Sequence, residues 1–510
     1  MDDLPERYSY NPTLRWNADL ESYFSNAYGP HHFSRISNAL TRPSCYSCIR
    51  VNTLKSTPDA AIEKLRTVLK EKGADISKCE VGGMDYVLFV KGSDPQAIDY
   101  SCAADGKPPK EVLVSRKCAE AVLRGAQVYV PGVLGCTARV EKGDIVAVSV
   151  AVQQPGADGG WVVGITEGTV PQGSETDPYH LERSGLYIGK GRATLSRAGI
   201  FCVMEGLAVD MSVRVFNLPS LLEIFLQNLP SIIVAHALGP QKGERILDLC
   251  AAPGGKTTAI ALLMKDEGEI VAADRSHNKV QGIYKLAAEM GLRCITPYKL
   301  DALKSVCIIN DSDDFSNHSC TKDNHGGNIQ GSDLLTSELE NLESVTFERL
   351  NAEKDFKKSG RKWNGPGRNQ SVGGTVEKSK GFAPKSFDQV LLDAPCSALG
   401  LRRRLFAGEH ATYQRRMLDQ AVQLVRPGGV LVYSTCTINP GENEAVVRYH
   451  PRIGGPGLVG RFEFPDGYTE PGEEELVQRF DPSSSLDTIG FFIAKFSVGS
   501  NEADLQNSAS

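Results

Sequence analysis

The chain predicts an α/β fold built on a doubly wound, Rossmann-like parallel sheet, and three runs of its 510 residues carry that reading. The first is Leu247-Asp248-Leu249-Cys250-Ala251-Ala252-Pro253-Gly254-Gly255-Lys256-Thr257-Thr258, which reads as the end of a buried strand, a Gly-rich turn and a helix start. Such a turn lets backbone approach a ligand closely, and the helix N-terminus offers unpaired N–H groups to an anionic part of it. The apolar strand 269–273 that follows ends at Asp274, where an acid suits the two hydroxyls of a ribose. The second run is Gln389-Val390-Leu391-Leu392-Asp393-Ala394-Pro395-Cys396-Ser397, and the third Gly429-Val430-Leu431-Val432-Tyr433-Ser434-Thr435-Cys436-Thr437. Each is a buried strand with a cysteine just past its end. Ligands of open α/β sheets sit outside the carboxyl ends of the strands, so Cys250, Cys396 and Cys436 should face one crevice. Most cysteines are small buried hydrophobes. That reading suits Cys250 inside its turn; Cys396 and Cys436 lie at strand ends beside polar residues.

The other elements follow in chain order. Residues 1–109 read as an α+β part packing on the core. It has a helix at 14–24, an extended run at 48–54, an amphipathic helix at 58–71 and an extended segment at 85–91. In the second helix Ala61, Leu65, Val68 and Leu69 fall at helical spacing. Residues 110–205 change character. A helix at 120–124 precedes a short strand and turn at 125–133, a turn and strand at 140–148, and another strand at 161–166. Strands spaced by Gly turns indicate a small inserted β-barrel. The core resumes over 206–305 and 386–498. Between them, 306–385 is rich in Asn, Ser, Gly, Asp and Lys, acidic in its first half and basic in its second. It should bury little apolar surface and be mostly disordered, with a transient helix at 338–350 and a basic arm at 357–368. A disordered tail is expected at 499–510.

Composition narrows the function classes. A hydrophobic fraction of 41% supports ordinary cores, and the length calls for more than one domain. A net charge of −6 excludes polyanion binding through bulk charge, so a nucleic acid would need local basic patches. Residues 1–7 do not read as a signal peptide, and no apolar run reaches membrane length. Thirteen cysteines without a secretory signal read as reduced thiols in the cytoplasm, with the nucleus as alternative. Cys45 and Cys48 have no second close pair to join them, so no metal site is expected.

Here the motifs combine. Asp393-Ala394-Pro395-Cys396-Ser397 and Ser434-Thr435-Cys436-Thr437 resemble the two cysteine motifs of the Sun-domain RNA cytosine-5 methyltransferases. The run 248–257 resembles their S-adenosylmethionine loop. Asn439-Pro440-Gly441-Glu442-Asn443-Glu444 and Gly490-Phe491-Phe492-Ile493-Ala494-Lys495 also match. The resemblance spans roughly 210–305 and 385–497, and more weakly 45–70 through Arg50-Val51-Asn52-Thr53-Leu54-Lys55. It implies an S-adenosylmethionine-dependent methyltransferase core and a division of labour. Carbon 5 of cytosine is a poor nucleophile until a thiolate adds to carbon 6 and makes carbon 5 enamine-like. The resemblance makes Cys436 that nucleophile and assigns release of the enzyme to Cys396. Asp393 would bind the cytosine's polar edge at the cofactor's border, with Lys256 assisting near the cofactor or base. Cys250, Ala251, Ala252, Pro253, Gly254, Gly255 and Lys256 would surround the amino-acid part of the cofactor. Asp274 would bind its ribose, and Asp301 its adenine amino group, although Asp301 by itself reads as a helix N-cap. The target base must be unpaired or flipped out.

Within 110–205, the runs from Gly125 to Val133 and from Lys142 to Val148 resemble a PUA domain, an RNA-binding module. Arg116, Lys117, Arg124, Lys190, Arg192 and Arg197 are candidates for its phosphate-contacting face. A PUA domain ahead of a Sun-domain core resembles a subgroup that methylates cytosine near the 3′ end of tRNA and reads the terminal CCA. The expected partner is therefore RNA, tRNA first, with rRNA or mRNA as alternatives, acted on by a monomer. Two rivals stand beside this reading. One is an RNA-binding adaptor with an idle catalytic fold. The other is a DNA cytosine-5 methyltransferase with Cys396 as nucleophile, which the Ser-Thr-Cys run and the PUA-like segment disfavour. The chain departs from the family at Ala398, where the family usually has Gly, in the long 306–385 insertion, and in a short connection after Tyr449 that could cost an edge strand.

Overall fold

A computed structural model describes residues 10, 12, 14, 16–69, 75–92, 96–100, 109–151, 154–155, 161–162, 165–171, 186–216, 225–307, 381–402, 414–448 and 477–499. The expected features at 338–350, 357–368 and just after Tyr449 lie outside them, as does the expected tail 499–510 except for residue 499.

The core is a seven-stranded sheet. Its strands are β1 (Arg245–Asp248), β2 (Glu269–Asp274), β3 (Ile295–Lys299), β4 (Phe387–Asp393), β5 (Val425–Thr435), β6 (Val477–Phe480) and β7 (Phe491–Ser497), in the order β3-β2-β1-β4-β5-β7-β6. The first five are parallel; β7 runs antiparallel to both β5 and β6. Strand residues alternate between two apolar layers, as a sheet covered on both faces requires. Ile246, Ile270, Leu391 and Val432 join the layer of helices Leu229–Leu238 and Gly255–Leu263. Leu247, Val271, Val390 and Leu431 join that of helix Gln414–Leu424. The order reverses beside β1: β2 and β3 lie on one side of it, β4 and β5 on the other. Ligands bind at such a reversal, outside the carboxyl ends. Register sets Asp393 opposite Ser434, and Asp248 opposite Leu391, two residues before Asp393.

The two ends of the 306–385 insertion are bonded to each other and pack against the core. Val306 bridges Phe382, the Cys307 N–H donates to Phe382 O at 2.9 Å, and the Phe382 N–H donates to Ser305 O at 2.8 Å. Phe382 packs edge-on against Tyr298 and Phe387. These contacts join partners distant in sequence, which composition does not reveal.

The N-terminal part differs from its expected outline. One helix spans Ala18–Tyr28, starting later than expected because the Asn17 side chain accepts from Asp19 N–H, and a second spans Pro30–Leu40. Gly29-Pro30 looks like a breaker, yet Pro at the first helical position is a start signal. The extended run ends at Arg50, and Asn52 begins a turn closed by the Lys55 N–H on Asn52 O. Strand Tyr46–Arg50 pairs with Val87–Lys91 and with Phe225–Leu226, a strand beyond the inserted domain.

The inserted domain is a six-stranded sheet around one core that includes Val112, Val148 and Val209. Pro131 splits the strand expected at 125–133 into Val128–Tyr129 and Val133–Cys136 around a 3-10 turn. Its first helix is Arg116–Val122, earlier than expected, because Ser115 caps it. Strand Leu207–Arg214 pairs with Leu186–Ala193, so the sheet runs past residue 205. Trp161–Val162 pairs with Gln154–Pro155 outside this sheet.

Candidate active site

The Gly turn after β1 sets the floor of the site. Gly254, at φ +106°, is the N-cap of helix Gly255–Leu263, a conformation that suits glycine. Arg50 braces the turn from below. Only 1% exposed, it donates to Gln227 Oε1 and Thr258 Oγ1, each at 2.7 Å, and lies 4.6 Å over the Phe225 ring. Burial lowers its pKa to about 10.

Three acids stand at strand ends. Asp248 is fully buried; its Oδ2 accepts from Thr257 Oγ1 at 2.7 Å and its Oδ1 has no partner. Burial pushes its pKa up to about 7, with the Asp393 carboxylate adding to the rise. Asp274, 9% exposed, accepts from the Ser276 N–H at 3.0 Å, with Lys279 Nζ at 3.7 Å. Asp393 accepts from Ser434 Oγ on one oxygen and from Lys256 Nζ on the other, both at 2.8 Å. Burial alone would lower the Lys256 pKa; the Asp393 carboxylate outweighs it and, with Cys436, leaves it raised. The same ammonium sits 5.3 Å from the Phe491 ring. Asp301 caps the short turn Ala302–Lys304 through the Leu303 N–H at 3.0 Å, as its residue type alone suggests.

The two cysteine sulfurs, Cys396 Sγ and Cys436 Sγ, lie 3.5 Å apart. The hydrogen bond to Cys436 and then burial push the Cys396 thiol far up, so Cys396 holds its proton. Cys436 lies within the field of the Lys256 ammonium, the cationic setting a thiolate nucleophile needs. Cys250 differs. Burial, with Asp274 and Asp248 nearby, raises its pKa strongly, and it packs against the apolar layer of helix Gln414–Leu424.

The structure therefore brings Lys256, Asp393, Cys396 and Cys436 together, with Asp248 and Asp274 in the same electrostatic neighbourhood. Sequence reading missed Ser434, Thr257 and Arg50 as members. Ser434 was visible as the polar residue ending β5; Arg50 was visible only inside a weaker match. Ala398 lies at φ +56°, in the left-handed region, where the missing glycine would cost nothing. Left-handed backbone costs a non-glycine residue about 1–2 kcal/mol, offset in part by the unfolded-state entropy of glycine. Ala398→Gly should therefore stabilise the protein by up to about 1 kcal/mol, seen as a higher melting temperature with methyl transfer retained.

The six candidate basic residues of the inserted domain differ in the contacts they make. Arg197 is committed to Cys136 O at 2.5 Å and Gly168 O at 2.6 Å, and stacks on Phe201. Lys190 and Arg192 donate to Asp99 O and Gly143 O, and Arg116 lies 3.9 Å from Glu120. Lys117 and Arg124 are exposed. Among the described residues no cluster of His, Cys, Asp or Glu is placed to hold a metal, and no helix is long and apolar enough to cross a membrane.

Known proteins resemble this chain along most of its length. Residues 235–313 and 369–497 match the family described as 16S rRNA methyltransferase RsmB/F, and 110–154 match the PUA domain. The chain is 61% identical to the rRNA (cytosine-C(5))-methyltransferase NOP2C of Arabidopsis thaliana, over 97% of this chain and 92% of that one. It is 31% identical to the tRNA (cytosine(72)-C(5))-methyltransferase NSUN6 of Mus musculus, over 96% of this chain and 95% of that one. The crystal structure of NSun6 from Pyrococcus horikoshii with SFG aligns with a TM-score of 0.63 at 27% identity, covering 95% of this chain and 99% of that one.

Proposed function

The chain belongs to the S-adenosylmethionine-dependent RNA cytosine-C5 methyltransferases, and from that premise we propose that it methylates carbon 5 of a cytosine in ribosomal RNA, with Cys436 as nucleophile. The observation that carries the chemistry is the pair of sulfurs 3.5 Å apart at the ends of β4 and β5, beside the Lys256–Asp393 ion pair. The Cys436 thiolate bonds to carbon 6, and the ring's electron pair moves to carbon 5. Asp393 accepts from the base's amino group, and Lys256 stabilises charge spread through the ring. The cofactor supplies an electrophilic methyl group to carbon 5. Release then requires loss of the carbon 5 proton to a base, return of the electron pair to the carbon 5–carbon 6 bond and departure of the Cys436 sulfur. The Cys396 thiol, at 3.5 Å, hydrogen-bonds that departing thiolate.

The chain's residues fit the cofactor. Gly254 leaves the turn open without strain, Asp248 Oδ1 is a buried acceptor without a partner, and Asp274 ends β2 where a ribose would lie. Cys250 to Gly255 would line its amino-acid part. Asp301 keeps one carboxylate oxygen beyond its capping bond for the adenine amino group. Asp274→Ala should weaken S-adenosylmethionine binding tenfold or more, since a charge-assisted hydrogen bond is worth about 1.5–3 kcal/mol. Calorimetry on the folded variant checks this, and unchanged affinity would remove Asp274 from the cofactor site.

Ribosomal RNA is proposed on the 61% identity to a protein named for it. A second reading, cytosine near the acceptor end of tRNA, is favoured by the PUA domain and by the relative named for position 72 of tRNA. Bisulfite sequencing of rRNA and tRNA, from cells with and without this chain, separates the two. A site lost only from rRNA supports the first reading, and one lost only from tRNA the second.

A further inference from the structure

The turn after Cys436 contains a buried carboxylate that touches no part of the Lys256–Asp393 pair. Glu442 is fully buried. Its side-chain oxygens accept from neutral donors: the Ser397 N–H at 3.1 Å, Ser397 Oγ at 2.5 Å and Gln414 Nε2 at 3.1 Å. Gln414 Nε2 also donates to Pro395 O at 2.8 Å. Both neighbours of Cys396, Pro395 and Ser397, are thus tied to Glu442 directly or through one side chain. The next residue does the same for the other cysteine. Asn443 Oδ1 accepts from Thr435 Oγ1 at 2.5 Å, and Asn443 Nδ2 donates to Thr437 O at 3.0 Å. Thr435 and Thr437 are the two neighbours of Cys436. A direct bond between Ser397 Oγ and Thr437 Oγ1, 2.8 Å, joins the two loops.

We infer that Glu442 is a positioning residue that holds Cys396 against Cys436 and so controls release of the covalent RNA intermediate. The inference rests on the assignment of attack to Cys436 and release to Cys396. Two consecutive residues each hold one cysteine loop by both flanks, so the sulfur separation depends on one short turn. Asn443 fixes the loop of the attacking sulfur, and Glu442 fixes the loop of the releasing one. Disturbing Glu442 should move Cys396 while leaving Cys436 with its own anchor.

A carboxylate is the right group because every donor it meets is an N–H or O–H, and it accepts on both oxygens. Glutamine has the same shape, but it replaces one acceptor oxygen by an NH2 and removes the charge that strengthens both bonds, so either the Ser397 hydroxyl must turn round to accept or the Gln414 amide loses its acceptor. Glu442→Gln therefore loosens one arm of the clamp without removing volume.

The test separates formation of the adduct from its release. Full-length protein, S-adenosylmethionine and an RNA substrate methylated by the wild type would be followed in a single turnover and at steady state. Covalent adduct would be read on denaturing gels and melting temperature measured alongside. Glu442→Gln should trap about tenfold more enzyme as adduct at steady state, while the single-turnover methylation rate falls less than about threefold. A merely structural role would lower both steps together. Equal loss of both, or unchanged release in a folded variant, overturns the inference. Ser397→Ala removes the hydroxyl arm together with the Ser397–Thr437 link between the loops, keeps the backbone arm, and must skew the two steps in the same direction; if Glu442→Gln does not fold, the absence of that skew in Ser397→Ala overturns it. Cys396→Ala is the internal control. If it also fails to accumulate adduct, the cysteine assignment has failed; if it accumulates adduct and the clamp variants do not, the clamp inference alone has failed.

Discussion

Cys436→Ala should abolish both methyl transfer and the covalent RNA adduct, while Cys396→Ala should form the adduct and release it poorly. The expected loss for Cys436→Ala is on the order of 10⁴-fold or more, the scale reached when a covalent nucleophile is removed. The asymmetry comes from the surroundings. Cys436 lies in the field of the Lys256 ammonium, whereas a hydrogen bond and burial keep the Cys396 thiol protonated. The check is a denaturing gel of each variant with labelled RNA, beside a methyl-incorporation assay. An adduct that depended on Cys396 instead would reverse the roles and restore the DNA-type reading.

The second large effect is expected at Asp393. Asp393→Asn would leave the Lys256 ammonium without its counter-charge and the cytosine's amino group without a carboxylate acceptor. Loss of a transition-state contact of this kind costs about 10²–10³ in kcat. The effect should fall on kcat more than on RNA affinity, because of the whole RNA the carboxylate would meet only the target base. The pH profile gives an independent readout. Asp393 is what raises the Lys256 pKa against burial, so in the variant that pKa should fall. Residual activity should then decline with rising pH at a lower pH than in the wild type. An additional Lys256→Met change should add less than its effect alone, since the two groups act as one unit.

The parts legible in the sequence share a physical cause. Parallel strands buried on both faces read as unbroken apolar runs, so β4 and β5 and the residues ending them could be found directly. Asp274 and Asp393 were visible because an acid after such a run has few structural reasons to be there. The parts that were not legible depend on distant partners. Phe225–Leu226 gains its strand by pairing with Tyr46–Arg50, and neither segment records the other. Arg197 reads in the sequence as a surface cation, yet its guanidinium donates to two carbonyls, those of Cys136 and Gly168. Glu442 stood within a recognised motif, but only the folded loops show that it joins the two cysteine segments.

The bridge between Val306 and Phe382 has an evolutionary consequence. Two chain ends held as bonded neighbours form a port through which sequence can be added with little thermodynamic penalty. Closing a flexible loop costs only about 0.6 kcal/mol more for each doubling of its length, provided the closing contacts are satisfied at any length. Here they are: the Ser305, Cys307 and Phe382 backbone bonds and the edge-on contacts of Phe382 with Tyr298 and Phe387 lie wholly on the core side. The cost of loop closure therefore sets little limit on the length of sequence between residues 308 and 380. Lineages can lengthen, shorten or recharge that stretch while the chemistry at the other end of β4 stays as it is.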